Sequence, residues 1–413
     1  MSANDSADDT AAAVRAQAYV KSAAQAIVRL MSMQQFRSDR PYFGSFDQMH
    51  WIGQAEDTLT LYSPSRTHNA RFQEASLTLA WFYKNDPTGE WRGNSELRNR
   101  AQAGLAFWSR LQWPDGSFAE TNPIGHEFGT TAFTLTAAVE TVRLIGDDWD
   151  DAIVPRDQVL RAIRRAALYL AGLDGTNNLE AAAALGLLEA GLLLNDQMYL
   201  RESVAKLEKL LDIQSPEGFF PEMGGPDSGY NSLTLSLLGR YYYLARAHDA
   251  IIPAELEKRL LEAVGRAFVW QSLFFRDDGS QIGGSWNTRS STPWIVRGGF
   301  EVWTPLFPLA ERLSGVLPIS DSMGMDGDDR HTATDTYRYL WSYEAISSPI
   351  EPEDDGPPGS ESSSPATWPL LPVELAKLMP ADEAFQLVLP QTRVQVVIGA
   401  GKYEVTGLMG STR

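Results

Sequence analysis

Leu111-Gln-Trp-Pro-Asp-Gly-Ser-Phe118 closes a helix-like stretch with a glycine turn. The chain repeats the device at Ile213-Gln-Ser-Pro-Glu-Gly-Phe-Phe220 and at Leu273-Phe-Phe-Arg-Asp-Asp-Gly-Ser280. A cruder copy stands near the start as Arg40-Pro-Tyr-Phe-Gly-Ser-Phe-Asp47. Recurrence at intervals of this size marks a repeat architecture, in which each unit is one supersecondary motif stacked on the next. The turn glycines Gly116, Gly172, Gly218 and Gly279 are 56, 46 and 61 residues apart, room for two helices and their loops. The expected unit is therefore an αα-hairpin.

Working outward from those turns, helical periodicity predicts helices over 12–35, 68–84, 95–112, 129–144, 156–172, 178–194, 201–213, 228–247 and 253–274. A shorter pair is expected at 305–314 and 332–345. One helix of each hairpin is small and apolar nearly all round, as in Ala181-Ala-Ala-Ala-Leu-Gly-Leu-Leu188 and Leu233-Thr-Leu-Ser-Leu-Leu238. Such a helix is buried on several sides. An inner ring of buried helices inside an outer amphipathic ring is an α/α toroid, and an open solenoid of the same hairpins is the alternative. The fold class expected is mainly α, an α/α toroid with a small C-terminal β segment.

Four domains are expected: an unstructured acidic tail (1–11), the helical domain (12–346), an acidic Pro/Ser-rich linker (347–366) and a C-terminal segment (367–413). The last holds a helix-like stretch at 372–378 and a β-hairpin in which Thr392-Arg-Val-Gln-Val-Val-Ile398 alternates, Gly399-Ala-Gly401 turns, and Lys402-Tyr-Glu-Val-Thr406 returns. A lone hairpin is barely stable in water. It either packs on the helices or opens a further β-domain.

Composition bounds the chemistry. The 413 residues carry a formal net charge of −18, which argues against nucleic acid or an anionic membrane as the main ligand. The absence of cysteine excludes disulfides, thiol catalysis and thiolate metal sites. The first residues have neither a basic nor an apolar signal region, so a soluble cytoplasmic protein without a membrane span is expected. No cofactor or metal is called for, and the oligomeric state is open. Twelve tryptophans supply either a large core or flat apolar surfaces.

Loops at one end of such a scaffold converge on its mouth. Four polar stretches are candidates: Glu120-Thr-Asn-Pro-Ile-Gly-His-Glu-Phe128, Asp174-Gly-Thr-Asn-Asn178, Glu222-Met-Gly-Gly-Pro-Asp-Ser-Gly-Tyr-Asn231 and Gly283-Gly-Ser-Trp-Asn-Thr-Arg289. Trp294, Arg297 and Glu301 follow. Several of these residues have plain structural readings as well. Asp227, Ser228 and Asn177 fit helix N-caps, and His126 fits a satisfied structural histidine.

The Asp-Gly-Ser-Phe and Glu-Gly-Phe-Phe turns after helices resemble those of the α/α-toroid superfamily, which holds terpene cyclases, protein prenyltransferases and the toroidal domains of heparinase- and alginate-lyase-type polysaccharide lyases. The resemblance covers about 39–314. The order of helices, linker and β segment is most similar to the lyases. Zero cysteine argues against the zinc-dependent prenyltransferases and lanthionine-forming cyclases. Asp326-Gly-Asp-Asp329 is a nominal class II terpene cyclase acid, which keeps an isoprenoid cyclase as one alternative.

The lyase resemblance implies a glycan-active enzyme acting on a polysaccharide or oligosaccharide by β-elimination. Asn178, His126, Tyr230 and Arg289 would then fill the catalytic roles. Glu127, Glu222, Asp227, Asn231, Trp286, Asn287, Trp294 and Glu301 would line the substrate. Those lyases also draw a histidine from their β-domain, and none follows His331 here. A glycoside hydrolase would instead use two carboxylates drawn from Glu127, Glu222, Asp227 and Glu301. Trp113, Trp286, Trp294 and Trp303 are candidate sugar platforms in either case. A non-catalytic glycan-binding or scaffold protein is the remaining alternative.

Overall fold

The computed structural model describes residues 3–40, 42–47, 69–120, 124–248, 252–276, 278–282, 287–290, 294–296, 298–317, 329–350, 384–399 and 402–407. The described chain is mainly α-helical with a small three-stranded antiparallel sheet near its C-terminus. It divides into two compact units. The first comprises 1–175, 182–205 and 320–343, and the second comprises 176–181, 206–319 and 344–413.

In chain order the helices are α1 (Ala3–Met33), α2 (Ala75–Asn85), α3 (Ser95–Leu111), α4 (Phe128–Ile145), α5 (Arg156–Ala171), α6 (Asn178–Leu194), α7 (Gln197–Asp212), α8 (Ser228–Ala247), α9 (Ala254–Ser272), α10 (Pro308–Val316) and α11 (Asp329–Ser347). Most agree with the sequence pattern to within a few residues. The start differs: α1 begins at Ala3, inside the stretch expected to be an unstructured tail. Before α2 the backbone forms a 3-10 turn, Ala70–Glu74, capped by the Asn69 side chain on the Arg71 amide.

The two helices of a hairpin are buried differently. In α4 almost every residue from Thr130 to Ile145 is buried, with Arg143 the exception. Its neighbour α5 buries only Val159, Ala162, Ile163, Ala166, Ala167 and Leu170, the single stripe of an amphipathic helix. The second unit repeats the contrast between α8 and α9.

The glycine turns explain how successive hairpins are spaced. After α3, the Gln112 side-chain amide donates to the carbonyl of Gly116 (3.0 Å) and to that of Ala162 on α5 (2.8 Å). After α7, Gln214 does the same to Gly218 (2.8 Å) and to Ala263 on α9 (2.7 Å). After α1, Gln34 bridges Gly44 (3.2 Å) and Arg100 on α3 (2.8 Å). In each case the glycine has positive φ, and a β-carbon on it would collide with a backbone carbonyl of the next amphipathic helix, that of Ala103, Arg165 or Arg266. The residue two places on is a buried phenylalanine: Phe46, Phe118 or Phe220. Gly279 shares the positive φ, whereas Gly172 has φ −83° and an unobstructed β-carbon position, so it is a helix end of another kind.

The sheet runs β1 (Ala384–Leu389), β2 (Val394–Gly399) and β3 (Lys402–Gly407), with β2 central. The sequence pattern anticipates β2 and β3 but not β1. Leu387-Val-Leu389 is an apolar run without strict alternation, closed by Pro390, and carries no period-2 signal. The sheet packs on helices of the second unit. Leu389, Val394, Val396 and Ile398 form one core with Phe219, Trp270, Leu273 and Phe274. The tryptophans divide similarly: Trp81, Trp108, Trp270 and Trp303 are fully buried. Trp303, a candidate platform, donates its indole N–H to the Leu235 carbonyl (3.0 Å) and stacks on Tyr242. It is core.

The linker from 351 onward, the stretch 372–378, Trp286, Arg297 and residues 326–328 of the acidic loop lie outside the described residues. Asp329 begins α11 and pairs with Arg29 at 2.6 Å. No helix among the described residues is long and apolar enough to cross a membrane.

Candidate functional site

In the second unit, polar residues far apart in sequence gather about one carboxylate. Glu222, only 4% exposed, opens a two-residue reversal in which its amide and carbonyl both bond Gly225. Met223 and Gly224 at the tip both have positive φ (51° and 80°), the geometry of a type I′ turn. Glycine adopts it freely, but methionine holds it at a cost in backbone strain. The reversal turns the Glu222 side chain toward the start of α6 and the 287–290 loop. Its Oε2 accepts from Asn177 Nδ2 (3.2 Å) and Asn178 Nδ2 (3.1 Å), and its Oε1 accepts from Arg289 Nη1 (2.5 Å). Asn177 is itself in the left-handed region, φ 53°.

Arg289 lies 4.3 Å from the centre of the Tyr230 ring, which meets Trp294 edge-on at 5.0 Å. Partial burial works against the Arg289 charge. The hydrogen bond to Glu222 and the fields of Tyr230, Glu222 and Asp227 outweigh it, and the guanidinium pKa rises. Only Nη1 is engaged among the described residues, and the side chain is 42% exposed. Donors therefore remain toward solvent.

Other predicted residues build this cluster's frame. Asp227, fully buried, N-caps α8 by accepting from the Gly229 and Tyr230 amides (both 3.1 Å). Its second oxygen accepts from the Ser290 (2.8 Å) and Arg289 (3.2 Å) amides, tying the loop to the helix. Asn287 accepts from the Ser228 amide (3.1 Å), and Trp294 Nε1 donates to Ser290 Oγ (2.6 Å). Gly229 lies against the Trp294 ring with no room for a β-carbon. Asn231 is buried, accepting from the Phe220 amide and donating to Gln271. Glu301 is buried in a 3-10 turn, Glu301–Trp303.

His126 and Glu127 belong to the first unit. His126 Nδ1 lies 2.8 Å from Ser117 Oγ and 2.7 Å from Asp115 Oδ2, and its ring tilts against Trp113. Burial pushes the Asp115 carboxyl up, but the Ser117 hydroxyl and amide and the His126 ring more than offset this and hold it below the ordinary range. The trio has the composition of a serine triad, yet both contacts use the same ring nitrogen. A relay needs the two nitrogens on different partners. Here the trio closes the turn at Gly116. Glu127 accepts from the Glu120 amide and from Thr130 Oγ1, both at 2.8 Å.

Sequence reasoning missed Asn177 as a Glu222 ligand, reading it as a cap. It also missed a buried cluster in the first unit. Arg71 pairs with Glu74, which is wholly buried and accepts from the Tyr337 hydroxyl at 3.0 Å. Arg338, 2% exposed, adjoins Tyr337. Among the described residues no group of three or more His, Asp or Glu is placed to hold a metal ion. No protein-family model matches the sequence and no curated protein matches it, so its functional reading is carried by this geometry.

Proposed function

We propose that the chain is a glycan-active enzyme, a uronate-polysaccharide lyase whose hairpins belong to an α/α toroid and whose reacting groups are Asn178, Tyr230 and Arg289. One observation carries the proposal: Asn178 and Arg289, from separate segments, both bond Glu222, and the Arg289 guanidinium lies over the Tyr230 ring. β-Elimination removes the C5 proton of a uronate, leaving negative charge on the adjoining carboxylate. Arg289, with outward donors, and the Asn178 amide neutralise that charge as it develops. Tyr230 as phenolate is the base, favoured by the guanidinium beside its ring. The C5–H electrons form the C4–C5 double bond, the C4–O4 bond breaks, and the phenol returns the proton to the leaving oxygen. Glu222 already accepts donors on both oxygens, which suits it to positioning Asn178 and Arg289 more than to the proton-giving role a hydrolase requires.

The test is a panel of acidic polysaccharides (alginate, pectate, hyaluronan, heparin) assayed for the ultraviolet absorbance of the unsaturated product. At least one should yield it. Tyr230→Phe should lower kcat by about 10³-fold with the melting temperature unchanged. A panel that binds but yields no product assigns the chain to non-catalytic glycan binding, and an active Tyr230→Phe removes the base assignment.

A further inference from the structure

We infer that the outer face of α5 is a docking surface for an acidic polysaccharide chain. Arg161, Arg164 and Arg165 are exposed there, at the i, i+3 and i+4 spacing that gathers side chains into one patch on a helix. Leu168, 60% exposed, extends the patch by one turn. None of the three guanidiniums has a hydrogen bond or ion pair to a described residue. Other solvent-facing arginines do: Arg37 pairs with Asp39 at 3.0 Å and Arg259 with Asp212 at 2.7 Å. Asp157, one turn earlier on this face, pairs with none of the three among the described residues. Asp115, in the turn packed against the Arg165 carbonyl, is already bonded to Ser117 and His126. Three unpaired positive charges side by side are a local exception on a chain of net charge −18.

The second unit shows that the repeat does not require these cations. Gln112 grips Ala162 as Gln214 grips Ala263, and Gly116 meets the Arg165 carbonyl as Gly218 meets that of Arg266. By that correspondence Arg161 and Arg164 stand where α9 has Glu262 and Gly265. Arg266, the counterpart of Arg165, reaches back to its own turn and donates to Gln214 Oε1. Arg165 does not, and Gln112 Oε1 has no described partner. The same position serves the turn in one unit and stands unengaged in solvent in the other.

Charge complementarity selects the occupant. Side chains one helical turn apart have β-carbons about 5–6 Å from one another, a spacing that suits a polymer with one carboxylate per sugar. A guanidinium takes a carboxylate edge-on through two parallel hydrogen bonds, and Leu168 offers the sugar ring an apolar contact. Duplex DNA, with a charge about every 1.7 Å, is repelled more strongly by the net charge of the chain. This choice of occupant rests on the uronate reading of the Glu222 cluster, but the surface uses none of that cluster's residues.

The probes are alginate and pectate, with uncharged dextran and duplex DNA as separate arms, in calorimetric titration of the full chain at several salt concentrations. At least one polyuronate should bind, more weakly as salt rises, while dextran does not bind and DNA binds at least about tenfold more weakly. The combined variant Arg161→Gln, Arg164→Gln and Arg165→Gln should weaken polyuronate binding by about tenfold and flatten its salt dependence, with the melting temperature unchanged. Lysine at the same three positions should keep the salt dependence and lose only about threefold, because charge remains without the bidentate edge. A charge-matched control at exposed positions elsewhere, Lys21→Gln, Arg37→Gln and Arg143→Gln, should bind as the parent does. Absence of polyuronate binding, a glutamine variant of α5 that binds like the parent, or an equal loss in the control overturns the inference. So does DNA that binds as tightly as the polyuronates. Binding that depends on the α5 arginines without any product formed removes the enzyme reading and supports this surface.

Discussion

Glu222 shows how one residue sets the character of a site. Its carboxylate collects Arg289 on one oxygen and two asparagine amides on the other, so it fixes three donors at once. Replacing it by glutamine keeps the shape but loses the charge and turns one acceptor into a donor facing donors. A cost of about 1–3 kcal/mol in stability follows from the misplaced hydrogen bonds. In the uronate reading, Glu222→Gln raises KM and lowers kcat by about 10- to 100-fold through misplaced Asn178 and Arg289, and both ionisation limbs of the pH–rate profile persist. If turnover vanishes and one limb disappears with it, Glu222 is itself the proton-transfer group and a hydrolase describes the site better. Asp227 teaches the complementary lesson. Asp-Ser-Gly at a helix start is written identically whether the aspartate caps the helix or faces a ligand. Only the Ser290 and Arg289 amides on its second oxygen show that it is consumed within the chain.

The decisive element is the turn that follows α1, α3 and α7. A glutamine, a left-handed glycine and a buried phenylalanine together fasten each turn to the next amphipathic helix, at Gly44, Gly116 and Gly218. The motif was legible because its chemistry is local: glycine is required where φ is positive and a carbonyl presses against it. Gly116→Ala and Gly218→Ala should therefore each destabilise their unit by about 2 kcal/mol or more, from backbone strain plus the displaced carbonyl. Gly172→Ala is the internal control. With φ −83° and only ordinary van der Waals contacts around an added β-carbon, it should be neutral or stabilise by about 0.5 kcal/mol through the unfolded chain. Chemical denaturation of the three variants checks this, and equal effects at 116 and 172 would show that the grip carries no energy. The helices were legible for the same local reason, since periodicity survives in sequence. Strand β1 was not, because an apolar run of a few residues has no period to read.

At the scale of the molecule, what escaped the sequence is pairing across long separations. Glu74 meets Tyr337 at a separation of 263 residues, and neither position is marked by its neighbours. The same holds for the sheet's attachment. Glu217, in the turn after α7, accepts from the Gln391 amide (2.6 Å), the Thr392 amide (3.0 Å) and the Thr392 hydroxyl (2.6 Å), while Trp270 donates to that same hydroxyl oxygen (3.0 Å). In sequence Glu217 is simply the polar residue of a repeated turn, equivalent to Asp115, yet it clamps the β1–β2 connection. Three hydrogen bonds to one carboxylate are worth about 1.5–3 kcal/mol each at most, and less where water can replace them. A three-stranded sheet depends on such docking, because alone it is close to unstable. Glu217→Ala should therefore loosen the sheet selectively: the amides of 394–398 should exchange with solvent about 10- to 100-fold faster, while those of α8 keep their protection. Glu217→Gln, which retains one acceptor oxygen, should fall between the two. If the strand amides exchange at the parent rate in both variants, the apolar core of Val394, Val396, Ile398 and Trp270 holds the sheet without the clamp.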